Sequence, residues 1–214
     1  MNNVSVNNIE TLVADLVPVR PVAPRDGFAL MAVATVFAVV LVAMMFGLRS
    51  DVMNGTPEPI VVVRAGILFI LGLATVSAVI ASARPSVGQR STGWRWALAA
   101  ASLFPITAAV LALVNRQEAL AEVSSVTGLW CLGISGASAL FIGGLLTAWL
   151  RQGAPTAINR TSWLVGLAAG SFGTLAYSLH CPSATVYYVG LWYTLAIALC
   201  AGVARLVVPR LIRW

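Results

Sequence analysis

The sequence predicts an all-α protein, an integral membrane bundle of six transmembrane helices with both termini cytoplasmic. Three observations carry that prediction. First, only 9% of the 214 residues are charged while 59% are hydrophobic, and the mean hydropathy is +0.91. Soluble domains hold about 25% charged residues, so this chain is too poor in charge to cover a water-facing surface. Second, the apolar residues fall into six uncharged runs: Gly27–Leu48, Ala65–Ala83, Trp96–Val114, Leu129–Leu150, Trp163–Leu179 and Val186–Ala204. Each has 17 to 22 residues, against the ~20 that cross a bilayer as a helix. Third, all 13 basic residues are arginine, and they lie unevenly on the two sides of those runs.

Backbone groups in lipid must be satisfied within their own segment, which makes each run a helix. The first run reads as a span and not a cleaved leader: 26 residues precede it, three of them acidic, and its 22 residues exceed an ordinary signal core. Ten arginines fall on one side: Arg20, Arg25, Arg84, Arg90, Arg95, Arg151, Arg160, Arg205, Arg210 and Arg213. Arg49, Arg64 and Arg116 fall on the other, with Asp51, Glu58, Glu118 and Glu122. The positive-inside rule then places both termini in the cytoplasm. The net charge of +6 reports that topology and contact with anionic lipid; direct nucleic-acid binding is the poorer reading. Three parts follow: a cytoplasmic segment over 1–26, a transmembrane domain over 27–208 and a short tail over 209–214.

Within 1–26, Ile9, Leu12, Val13 and Leu16 follow the i, i+3, i+4, i+7 spacing of an amphipathic helix. Asn7 caps its start with Glu10 three residues on, and Pro18 ends it before the extended Pro-rich linker through Pro24. So short a helix does not hold itself together in water, and its apolar stripe needs a partner. Surface-lying membrane helices carry Lys or Arg on the polar face. This one carries Glu10 and Asp15, which favours a protein partner over the lipid.

Inside the spans, Gly166-Leu-Ala-Ala-Gly170 permits close helix packing, and Gly133, Gly136, Gly143 and Gly144 are expected to act alike. Pro105 is expected to kink the third span. The seven tryptophans fall near span ends, as interfacial aromatics do.

No run holds an acid, a histidine or a basic residue except Arg205, near the inner face. Ion-coupled transport places such groups inside the membrane, so coupling is disfavoured. A catalytic triad or carboxylate pair has no candidates at compatible depth, no Cys-x-x-Cys motif is present, and the chain reads as a non-enzyme. The remaining chemistry is outside: Cys131 at the outer end of the fourth span, and His180 and Cys181 in the polar break Leu179-His-Cys-Pro182. Cys131 and Cys181 share a depth, so a disulfide is geometrically open to them. With His180 they are also suitable ligands for copper or zinc, and no resident cofactor is otherwise indicated. A structural disulfide, or two unpaired small residues, fits the same pattern. Cys200, inside the sixth span, reads as packing.

Three stretches resemble one family. Leu12-Val-Ala-Asp15-Leu-Val-Pro18-Val-Arg20-Pro, Leu150-Arg-Gln-Gly-Ala-Pro155-Thr, and Ala176-Tyr-Ser-Leu-His180-Cys181-Pro182 followed by Leu191-Trp-Tyr193 look like the NrsF-type anti-sigma factors. The resemblance implies a six-span protein of the bacterial inner membrane that holds an extracytoplasmic-function (ECF) sigma factor through its amino-terminal segment. Carried onto this sequence, Ile9, Leu12, Val13 and Leu16 supply the apolar face, Asp15 and Arg20 polar contacts, and Pro18 the exit. Helix-in-groove docking is the natural mode. The resemblance further implies signalling through Cys131 and Cys181, in response to a metal or oxidative signal. Ser183 departs from the acidic residue expected after the proline. A small uncoupled channel or carrier, for a neutral solute or a metal, is the alternative function.

Overall fold

Long apolar runs without a water-facing side leave helix as the only way to pair the backbone, and the chain folds accordingly. A computed structural model of the chain describes residues 23–83, 92–123, 126–153, 155–183 and 185–212. These form α1 (Pro24–Phe46), α2 (Ser50–Met53), α3 (Pro59–Ser82), α4 (Gly93–Val114), α5 (Arg116–Val123), α6 (Val126–Leu150), α7 (Ile158–Ser178) and α8 (Val186–Ile212), with no strand among the described residues. Prolines at the first turns of α1 and α3 start those helices ahead of the uncharged runs, where a missing N–H costs nothing. Pro105 lies inside α4, which continues through it. The last helix runs through Pro209 to Ile212, so the expected tail begins inside a helix.

α1, α3, α4, α6 and α8 are each long and apolar enough to cross a membrane. α7 has comparable length, 21 residues, but a different surface. It is the hub of the bundle, packed against α3, α6 and α8, with α1 at its flank. Fifteen of its residues are buried, among them Gly166, Gly170, Gly173, Ser171 and Thr174. A helix that meets other helices gains from small residues and not from bulky apolar ones. A Cβ on Gly166 would lie 2.4 Å from Ala201 Cα, and one on Gly170 would lie 3.0 Å from Ile197 Cα. The GxxxG stretch is therefore an α7–α8 contact within this chain. Gly173 makes the equivalent approach to α6, 2.6 Å from the Ser135 carbonyl oxygen.

The fourth run behaves differently from its expectation. Gly143 packs on Ala169, but Gly133, Gly136 and Gly144 have open space where a side chain would go. Two tryptophans are likewise core residues and not interfacial ones. Trp149 lies against Gly27, and Trp192 covers Gly128, where a Cβ would fall 2.0 Å from the indole. Trp96, Trp130 and Trp163 do face outward.

Several hydroxyls in the apolar interior bond back to their own helices, which satisfies them without a partner helix. Thr75 donates to the Leu71 carbonyl, Ser162 to Ile158 and Ser171 to Leu167. Thr161 instead donates to Ser82, joining the first turn of α7 to the last of α3.

Candidate functional site

The site forms where α7 ends. A helix C-terminus exposes carbonyls that lack amide partners and carry the negative end of the dipole, so cations are favoured there. Two arginines meet this need. Arg64 lies within α3, not ahead of the second span as the run boundary suggested, and is 1% exposed. Its Nη2 donates to the carbonyls of Ser178 at 2.7 Å and Cys181 at 3.2 Å, and its Nη1 to Ser183 at 2.6 Å. The ring of Tyr193 lies 5.7 Å from the guanidinium carbon, within cation–π range. Arg49, from the α1–α2 link, donates through Nη1 to the Cys181 carbonyl at 3.1 Å and to Pro182 at 2.8 Å. The Leu-His-Cys-Pro turn is thus clamped by two guanidinium groups from the first third of the chain.

Arg49 is held in turn by Asp51 at 2.8 Å and Glu58 at 3.3 Å. The hydrogen bond from Arg49, helped by the Glu58 backbone N–H, holds the Asp51 carboxyl down at about 2 from its ordinary 3.8. A carboxylate depressed by folding stabilises the native state fully above its unfolded value, and that contribution is lost as pH falls through the folded one. The clamp on Arg49 is therefore expected to persist at neutral pH and to weaken only between pH 3.8 and about 2. A carbon-13 titration of the Asp51 carboxyl in Arg49→Gln should move its midpoint back toward 3.8; an unmoved midpoint would remove Arg49 as the cause.

Cys131 and Cys181 are both free and fully buried, in one cluster with Leu68, Tyr177, Tyr188, Val189, Trp192 and Tyr193. Cys131 lies in the second turn of α6, its Sγ 4.0 Å from Ser135 Oγ. The Cys181 thiol donates to the Ser183 carbonyl at 3.7 Å. Tyr188 donates to the Thr127 carbonyl at 3.0 Å, tying α8 to the start of α6. Residues 189–193 of α8 form a π-turn that carries Trp192 and Tyr193 into this cluster.

His180 goes elsewhere. Its Nδ1 is 3.0 Å from the Gly47 carbonyl, and its ring packs between Phe46 and Tyr177. The structure brings the two thiols together and sets the imidazole against the end of α1. Among the described residues no three His, Cys, Asp or Glu side chains come together to hold a metal ion. The donor set fits a soft ion such as Cu(I), held by the two sulfurs, better than zinc, which takes four ligands. The set expected to bind the sigma factor, Ile9, Leu12, Val13, Asp15, Leu16, Pro18 and Arg20, lies outside the described residues.

Sequence reasoning missed Arg64 and the tyrosines. One signal for Arg64 was present: it stands between Val61-Val-Val63 and an uncharged run, with helix-starting Pro59 five residues before it. The tyrosines carried no signal, because their partners are remote in sequence.

Fold and site together define a small all-helical protein of the membrane-bundle class, with a buried dithiol beneath an arginine-clamped turn. Comparison with known proteins gives the family. The chain belongs to the NrsF family, described as negative regulator of sigma F, which matches residues 12–214. The Caulobacter vibrioides protein "Anti-sigma-F factor NrsF" is 27% identical over 213 residues, covering 96% of this chain and 97% of the relative. The Azospira oryzae "Probable anti-sigma-F factor NrsF" is 34% identical over 61 residues, which span 28% of this chain and 29% of that relative. No solved structure matches.

Proposed function

We propose that this chain is an anti-sigma factor of the bacterial inner membrane that restrains an ECF sigma factor and releases it when its outer thiol pair changes state. The family match over residues 12–214 supports the restraining role. The amphipathic residues Ile9, Leu12, Val13 and Leu16 supply the apolar docking face, with Asp15, Pro18 and Arg20 completing it. In this reading all six long helices span, α7 included; its packing on α3, α6 and α8 and its buried small residues support that. An even number of spans returns the carboxyl terminus to the cytoplasmic side, in keeping with the arginine distribution.

The observation that carries the switch is the burial of Cys131 and Cys181 in one cluster at the joint of α6, α7 and α8. Forming a disulfide removes two electrons and two protons, taken up by a two-electron oxidant from the outer compartment. Bridging by Cu(I) is the alternative change of state. Either draws the α7–α8 turn toward α6, and repacked helices then carry the change inward. Cys131→Ser and Cys181→Ser are expected to block sigma release by oxidant or copper, read as sigma-dependent transcription. Wild-type induction in both variants would leave the thiols merely structural.

A further inference from the structure

Arg64 satisfies its two terminal nitrogens with carbonyls, but its Nε–H has no partner. The Tyr193 hydroxyl is the second orphan in the same region, in a residue 3% exposed. Leaving a buried donor unmade is costly, more so for a charged group, so each of the two orphans asks for a partner. Both residues line one cavity of about 30 Å³ between α3 and α8, walled by Leu68, Val189, Thr194 and Ile197. A water needs at least roughly 10–15 Å³ measured in this way and two or more polar partners. Size and polarity both fit.

The wall has a third property. Val189 and Tyr193 are the two ends of the π-turn, and Thr194 follows it. A π-turn inserts one residue into an α-helix and is found most often at functional positions. The cavity therefore lies where α8 carries its extra residue, with the orphaned guanidinium N–H opposite.

We propose that this cavity is a binding site for a small hydroxylic ligand, water in the resting protein, that accepts from Arg64 Nε–H, exchanges a hydrogen bond with Tyr193 and holds the π-turn of α8 open. The occupant gives the cationic nitrogen the acceptor it lacks. It also makes the register of α8 depend on a ligand at the edge of the thiol cluster. Closing the turn to α-helical register would rotate the chain from Thr194 onward by about 100°, one residue's share of 3.6 per turn.

The test uses the full chain in lipid nanodiscs with nitrogen-15 in the arginine side chains. The Arg64 Nε resonance is assigned by its loss in Arg64→Lys, and magnetisation transfer to Nε–H is then read from water and from lipid acyl protons. Transfer from water is expected, reduced at least twofold by Tyr193→Phe. Val189→Ile, which fills the cavity, should abolish it and shift the backbone resonances of residues 189–194. Transfer from lipid alone would make the occupant a lipid group and overturn the proposal. So would transfer from neither source, or water transfer unchanged in both Tyr193→Phe and Val189→Ile.

Discussion

Replacing Arg64 with methionine is expected to loosen the C-terminal end of α7 and expose the Cys181 thiol that follows it. The substitution keeps an unbranched apolar stem as far as the Nε position and removes every donor. The Ser178 and Ser183 carbonyls lose the guanidinium that caps them, while Cys181 keeps its bond to Arg49. Each abandoned carbonyl costs about 1–3 kcal/mol. Relief from burying a cation offsets part of this. A net loss of roughly 3 kcal/mol is expected, read as a lowered Tm in detergent. Alkylation of Cys181 by a water-soluble maleimide should accelerate at least tenfold. Lysine at the same position keeps the charge but reaches fewer carbonyls, and should fall between the two. Parental stability together with parental protection in Arg64→Met would show that the turn does not depend on its clamp.

Deleting residues 1–20 should have the largest effect of all on partner retention and little on the bundle. The proposed docking face carries four apolar side chains, Ile9, Leu12, Val13 and Leu16. At about 1.5 kcal/mol each when buried, they amount to roughly 6 kcal/mol, or about four decades in affinity. Sigma factor co-purified with the membrane protein should fall to background, and Leu12→Asp alone should remove most of it. The melting of the deleted chain should match the parent, since the core of α1, α3, α6 and α7 lies downstream. Undiminished co-purification after the deletion would end the docking assignment.

Most of the helical framework was legible because about twenty apolar residues in a row have one low-energy backbone in lipid. The level placement of Cys131 and Cys181 was legible too, since helix rise converts sequence position into depth. What escaped was whatever depended on which helix faces which. By sequence Arg64 reads as a flank, because a run ends where a charge appears. Its acceptors lie 114 to 119 residues later and leave no mark beside it. Gly166 and Gly133 look alike in sequence, yet one meets a neighbouring backbone and the other meets open space. Trp192 sits in the first third of its run, where an interfacial aromatic is expected, and is nevertheless lodged over Gly128 in the core. His180 adjoins Cys181 in the chain, but the turn points it to Gly47.

The span between Arg64 and its acceptors sets an order of events in synthesis. α3 enters the membrane carrying a guanidinium whose partner carbonyls at Ser178, Cys181 and Ser183 have not yet been translated. Five residues from the helix start, the group stands about 7 Å in, shallow enough for its side chain to snorkel toward the nearer headgroups meanwhile. Its carbonyl partners become available only when α7 and the turn after it arrive. Capture of the nascent turn by a waiting arginine would then be the step that brings Cys181 to Cys131, so the thiol pair could not exist before the bundle is nearly whole.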